Sequence, residues 1–255
     1  MPAPRCIKSR AVYRRADADK VTTARYFALI PAAGSGSRLR DALPKQYIAL
    51  AGLPMLRHVL DTFAAAAPIT HVFVAVAADD CHIEPLLAAA PHLSKRVTLL
   101  RSGGSTRQQT VMNSLRAIQQ LQNFAIEPHD WLLVHDAARP GLTGTLIDKL
   151  ICAVGDDAVG GLLAIPVADT LKFADQERST KTVARANLWA AQTPQMFRFD
   201  LLVRALDLAT DVTDEASAIE SLGRLPMLVE GSSQNFKVTL PDDIALATAL
   251  LKGRT

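Results

Sequence analysis

Two cations placed just beyond a run of small residues give the first chemical signal in this chain. The run is Pro31-Ala-Ala-Gly-Ser-Gly-Ser-Arg38, and Pro44-Lys45-Gln46 follows it closely. Small residues such as Gly34 and Gly36 let backbone N–H groups approach phosphate oxygens, and a helix start after such a loop adds partial positive charge. A Gly-x-Gly pair alone is more often a plain turn. Arg38 and Lys45 change its meaning, because charge that builds on a triphosphate attacked at phosphorus must be neutralised by nearby cations. A dinucleotide-binding loop would need a third glycine where Leu39 stands, and a P-loop would need Gly-Lys-Ser/Thr after its spacer. Neither is present.

Gly103-Gly104-Ser-Thr-Arg107 forms a second glycine surface, with the Thr110 hydroxyl one turn after Arg107. By itself this string is an ordinary loop and helix cap. His135-Asp-Ala-Ala-Arg-Pro140 comes directly after the apolar Trp-Leu-Leu-Val string. A carboxylate at a strand end, here Asp136, can hold Mg²⁺ or a ribose hydroxyl, and Arg139 can fork onto a phosphate. His135 reads as a packed histidine, since a phosphate nucleophile needs no proton removed near neutral pH. The remaining strings are scattered: Pro166-Val-Ala-Asp-Thr-Leu-Lys172, Arg185, Gln192-Thr-Pro-Gln195, Thr213-Asp-Glu215 and Asn235-Phe-Lys-Val-Thr239. Thr213-Asp214-Glu215 reads as a capped helix start with an acidic first turn. Lys237 sits in a short strand-like run, where a lysine can also guard a sheet edge.

The elements that must hold these residues alternate. Strands are expected over 26–32, 71–77, 97–100, 131–134 and 160–167, and helices over 55–67, 84–90, 107–120 and 146–154. That βα order predicts parallel pairing through crossovers, with the polar clusters at strand ends where open α/β sheets place their sites. The fold class is therefore α/β: a Rossmann-like, mostly parallel sheet flanked by helices. Residues 1–25 read as a flexible, Arg-rich extension, and 26–255 as one domain. Residues 169–186 are polar and turn-rich without an apolar face, as in an arm that projects to meet another subunit. Helices over 199–208, near Asp214 and after Pro241, and a strand near 226–229, complete the pattern.

Composition narrows the function classes. With 49% hydrophobic residues the chain has enough apolar material for one large domain, and the low aromatic share suits helices packed on a buried sheet. The net charge of +3 is small and concentrated in the first 25 residues, which argues against a nucleic-acid-binding body. Cys6, Cys81 and Cys152 form no CxxC pair and suggest neither a disulfide framework nor a thiolate metal site, so a reducing cytoplasm fits. No stretch of transmembrane length is present.

Taken in order, PAAGSGSR with PKQY, HDAARP, PVADTLK, QTPQ, TDEASAIE and NFKVTLPDD resemble the cytidylyltransferases that act on 2-C-methyl-D-erythritol 4-phosphate in non-mevalonate isoprenoid synthesis. The resemblance runs from about Tyr26 to the C-terminus. It implies a nucleotidyltransferase-type fold whose homodimer exchanges the arm. It also implies CTP over Pro31, Ala32, Ala33, Gly34 and Gly36, enclosed by Gly104, Arg107 and Thr110. Asp136 would lie near ribose and metal, with Mg²⁺ bound mainly through the CTP phosphates. Arg38, Lys45, Arg185 and Lys237 carry the catalytic expectation, and Arg139, Thr170, Arg185, Thr213 and Lys237 would hold the methylerythritol phosphate. Ser105 departs from the acidic residue common at its position in the family. A related enzyme acting on ribitol 5-phosphate is the alternative, because only the acceptor pocket would differ.

Overall fold

The computed structural model describes residues 24–34 and 43–254. The extension expected before Tyr26 lies, up to residue 23, outside the described residues. Arg25 belongs to the body instead: its backbone N–H and guanidinium both donate to the buried Asp130 carboxylate, and its carbonyl accepts from Trp131 N at 2.8 Å.

The chain begins with β1 (Tyr26–Pro31), a short antiparallel pair β2 (Ala49–Leu50) and β3 (Leu53–Pro54), and α1 (Met55–Ala65). Then follow β4 (Ile69–Ala75), α2 (Ile83–Ala88), β5 (Val97–Leu100), α3 (Arg107–Gln120), β6 (Trp131–Val134), α4 (Gly144–Val154) and β7 (Gly160–Pro166). The last part holds β8 (Leu171–Asp175), β9 (Arg178–Val183), β10 (Trp189–Arg198), α5 (Phe199–Leu208), α6 (Glu215–Ser221), β11 (Met227–Glu230) and α7 (Pro241–Lys252). Seven strands form the central sheet in the order β11-β7-β10-β6-β1-β4-β5. Every pairing is parallel except those of β10, which runs antiparallel to both β6 and β7.

Alternation along the inner strands builds two cores. Ala28 and Ile30 of β1, Val72 and Val74 of β4, and Trp131 and Leu133 of β6 face α1 and α4, which answer with Leu56, Val59, Phe63, Ile147 and Leu150. Phe27, Leu29, Phe73, Leu132 and Val134 face the opposite way, against Val111, Leu115 and Ile118 of α3 and Phe199, Leu202 and Leu206 of α5. Because side chains alternate with period two, a strand buried on both faces must be apolar throughout, which is what YFALIP and WLLV supply. Each fully buried Leu or Phe contributes roughly 1.5–3 kcal/mol.

The strand order turns back at β1: the chain moves outward to β4 and β5, then returns to place β6 on the other side. Loops after the carboxyl ends of β1 and β6 diverge there and leave a crevice. Helix starts are fixed by side-chain caps, Thr106 for α3, Thr143 for α4 and Asp214 for α6.

Three expectations change. The arm at 169–186 is a regular β8–β9 hairpin, forming its own two-stranded sheet with nearly every residue exposed. β10, the central antiparallel strand, contains the Gln192-Thr-Pro-Gln195 string that the pattern assigned to no element. Lys237 does not lie on a strand; it follows a single 3₁₀ turn over Ser233–Asn235 in irregular backbone, held where Val238 N donates to Ala138 O at 2.8 Å.

Gly160 starts β7 at φ +120, a region favouring glycine, and an added Cβ would lie 2.4 Å from Met196 O of β10. Gly160→Ala is therefore expected to destabilise the protein by roughly 1–3 kcal/mol. Urea unfolding should show this as a lower midpoint at unchanged slope.

Candidate active site

The crevice holds a cavity of about 490 Å³, lined by Pro31 to Gly34 after β1, Lys45 and Gln46, Gly104 to Arg107 and Thr110, Asp136 to Ala138 after β6, and Lys237. Segments from both ends of the chain thus meet at one surface.

Glycine is required just before the second lining segment for a steric reason. A Cβ on Gly103 would lie 2.8 Å from Ala33 Cβ and 2.9 Å from Val76 O, so this turn packs directly on the Ala33 side chain and on the backbone that follows β4. Gly104 N then donates to Thr110 Oγ1 at 3.0 Å, and that hydroxyl donates onward to Thr106 O. Thr110 thus shapes the loop as well as facing the cavity. Gln46 Nε2 donates to Ala32 O at 2.7 Å, tying the Lys45 segment to the first loop.

A cluster of charges closes the cavity floor. Arg107 Nε donates to Asp136 Oδ1 at 2.8 Å, while its two terminal nitrogens fork onto Glu215 at 2.7 and 3.0 Å. Lys237 Nζ lies 2.8 Å from Asp136 Oδ2, and Arg139 Nε lies 3.7 Å from the same oxygen. Burial by itself would raise the Asp136 carboxyl, but Arg107, Lys237 and Arg139 outweigh it and hold the group far below the usual carboxylate range. Burial opposes the Arg107 charge too, and Glu215 and Asp136 more than restore it. Asp136 and Arg107 therefore keep their charges at any working pH.

His135 supports this cluster without joining its charge. Its Nε2 faces Arg139 O at 3.1 Å, which requires Nε2–H, and its Nδ1 therefore accepts from the Thr193 hydroxyl at 2.9 Å. Thr193 Oγ1 accepts in turn from Asp136 N at 3.0 Å. Burial pushes the imidazole down to about 4. A neutral ring whose protons are committed in this way is unsuited to acid–base work, as expected for a packed histidine.

Lys45, Lys237, Arg107, Thr110, Gly104, Asp136 and Pro31 to Gly34 all line the cavity. Arg139 stands behind Asp136 with its terminal nitrogens on Asn235 O and Ala191 O. Gly36 and Arg38 lie outside the described residues. Thr170, Arg185 and Thr213 are exposed and do not line the cavity; the first two flank or lie within the hairpin segment and the third precedes α6. The sequence pattern gave Glu215 only a first-turn role on its helix. The structure buries it against Arg107, and no local signal distinguishes that from a dipole-facing glutamate. Gln195 likewise proves structural: its amide accepts from Ala216 N and donates to Asp214, fixing the start of α6.

The His135 shift has a stability consequence. Its folded value of about 4 lies below the ordinary 6.5, so the unfolded chain takes up the proton first. The stabilisation is full above about pH 6.5 and falls as pH drops toward about 4, by up to roughly 1.4 kcal/mol per pH unit. Thermal unfolding followed from pH 7 to pH 4 should show a shallower decline in His135→Asn than in the parent chain.

The family model for 2-C-methyl-D-erythritol 4-phosphate cytidylyltransferase matches residues 26–253. The enzyme of that name from Nitrosospira multiformis is 51% identical over 230 residues, covering 89% of this chain and 97% of that protein. Its counterpart from Paraburkholderia xenovorans is 49% identical over 237 residues, covering 90% and 97%. Among solved structures, a 4-diphosphocytidyl-2C-methyl-D-erythritol synthase superposes with a TM-score of 0.79 at 39% identity, covering 90% of this chain and 99% of that one. The Francisella tularensis enzyme gives 0.74 at 33% identity, covering 89% and 100%. These relatives do not favour the ribitol 5-phosphate alternative. The chain belongs to the 2-C-methyl-D-erythritol 4-phosphate cytidylyltransferase family.

Proposed function

We propose that the cavity binds CTP and that the chain transfers CMP from it to 2-C-methyl-D-erythritol 4-phosphate. The products are 4-diphosphocytidyl-2-C-methyl-D-erythritol and pyrophosphate, a step in isoprenoid precursor synthesis. The observation that carries this reading is the meeting of Lys45 and Lys237, from opposite ends of the sequence, on one small-residue cavity beside Asp136.

An acceptor phosphate oxygen attacks the α-phosphorus; the new P–O bond forms as the bond to the bridging oxygen of pyrophosphate breaks. A phosphate monoester is largely dianionic near pH 7, with a second pKa of about 6, so no general base is needed. The chain's part is positioning and charge. Backbone of residues 31–34, with Gly36, cradles the triphosphate, while Gly104, Arg107 and Thr110 enclose the base. Lys45, Lys237 and Arg38 neutralise the negative charge that grows at phosphorus. Among the described residues, Arg107, Arg139 and Lys237 face Asp136 and Glu215, three cations to two carboxylates, on the cavity that Lys45 also lines, a balance suited to a polyanion.

Among the described residues, Asp136 is the one carboxylate lining the cavity, and no group of three or more metal-binding side chains occurs. Such a donor set fits Mg²⁺ held mostly by substrate phosphates, with Asp136 as its protein ligand. When bound, the ion shares the neutralisation of triphosphate charge.

The acceptor is held by Arg139, Thr170, Arg185, Thr213 and Lys237. Thr170 and Arg185 come from a hairpin segment whose Phe173 is 66% exposed, and a two-stranded hairpin is marginal by itself in water. A homodimer in which each hairpin completes the neighbour's site accounts for both facts. The protein works in the cytoplasm; among the described residues no helix is long and apolar enough to cross a membrane.

Lys45→Ala is expected to lower kcat by roughly 10²–10³ while the protein stays folded. Steady-state pyrophosphate release reads this, and near-parental turnover would remove the assignment. Arg185→Ala should raise KM for the methylerythritol phosphate more than KM for CTP. Supplying ribitol 5-phosphate instead should yield little pyrophosphate, and preferential use of it would overturn the acceptor assignment.

A further inference from the structure

Lys45 sits at the start of a single 3₁₀ turn over Lys45–Tyr47 that has no side-chain cap of its own. One such turn cannot hold its geometry unaided, because too few hydrogen bonds repay the fixed dihedrals. Two side chains of the turn reach in opposite directions. Gln46 bonds to Ala32 O beside the cavity, while Tyr47 turns away from it. The buried Tyr47 ring lies 5.1 Å from the His82 ring, and its hydroxyl donates to Asp80 Oδ2 at 2.7 Å.

Asp80 is itself fixed. Its Oδ1 accepts from His82 N at 2.9 Å and Ile83 N at 3.1 Å at the start of α2. Arg101 donates to Ala78 O at 2.8 Å and Asp80 O at 3.0 Å, and pairs with Glu84. The loop after β4 thereby becomes a rigid post. Burial, then the bond to Asp80, raises the Tyr47 phenol, so it keeps its proton and donates throughout the working range.

We propose that Tyr47 and Asp80, neither of which lines the cavity, are positioning residues for Lys45. The Tyr47–Asp80 hydrogen bond fixes the turn from which the Lys45 ammonium reaches the reacting phosphates. The inference rests on the transition-state role given to Lys45 above. A lysine carries its charge on four flexible carbons, so its aim depends on where its backbone is held, and misplacement by about 1 Å can cost as much as 10²-fold in rate.

A kinetic cycle tests this in the full-length protein. Tyr47→Phe keeps the ring that fills the core and removes only the hydroxyl. It should lower kcat roughly tenfold with little change in KM for CTP, the pattern of a contact made in the transition state. Asp80→Ala should give a similar loss, and combining it with Tyr47→Phe should add nothing. In a Lys45→Ala background, Tyr47→Phe should cost no further activity, which a merely structural role would not produce. If Tyr47→Phe retains parental kcat, or loses the same factor in both backgrounds, while Lys45→Ala is slow, the positioning role is wrong and the Lys45 assignment stands. If Lys45→Ala itself turns over at the parental rate, both fall together.

Discussion

The arrangement depends on Arg107 being shared between two carboxylates. Its fork on Glu215 and its Nε on Asp136 bind together the start of α3, the loop after β6 and the start of α6. Glu215 is 1% exposed, and a carboxylate left unpaired at that depth would cost roughly 3–5 kcal/mol. These three segments must therefore come together with Arg107 between them or not be buried at all. Once they do, Asp136 has one oxygen directed at Arg107 and the other at Lys237, so the C-terminal part of the chain is drawn onto the same floor.

That constraint explains how a nearly neutral protein builds a strongly anion-attracting site. The overall charge is only +3, yet Arg107, Arg139 and Lys237 are gathered around two carboxylates that hold them in place without cancelling them. Asp136 lies buried at the cavity floor, where a given charge counts for more than at the surface. His135 belongs to this economy by staying neutral. It links the Asp136 amide, through Thr193, to the Arg139 carbonyl, so the loop bearing both charges is fixed by hydrogen bonds that add no third cation.

Where apolar pattern decides structure, the sequence was readable. Trp131–Val134 and Arg107–Gln120 emerge with the expected bounds, because a strand buried on two faces and a helix with a Thr cap carry their signals locally. β10 was not legible: its strand runs through Gln192, Thr193 and Gln195, polar residues that are buried only because Asn235, Ser232, Asp214 and Ala216 come from elsewhere to bond them. The hairpin was hidden for the opposite reason, having no buried face to impose alternation. Lys237 was found by its company in the string, although its backbone is irregular and not a strand. Glu215 shows the same limit, since its partner lies more than a hundred residues away.

The two halves of the site differ in the same physical respect. A triphosphate is recognised by closely spaced backbone N–H groups and by cations, and both demands leave local marks: small residues at successive positions, with Lys45 shortly after. A small polyol phosphate offers hydroxyls and one charge, so it is distinguished by single side chains set at distances no local pattern requires. Arg139, Thr170, Arg185, Thr213 and Lys237 are spread over five segments, and the cavity takes only Lys237 from them. On the proposed reading, a single chain supplies the described part of the phosphate cradle and leaves much of the acceptor side open. The proposed dimer would give the exposed Leu171 and Phe173 a surface to cover and would make acceptor recognition, unlike the proposed nucleotide binding, a property of the assembly.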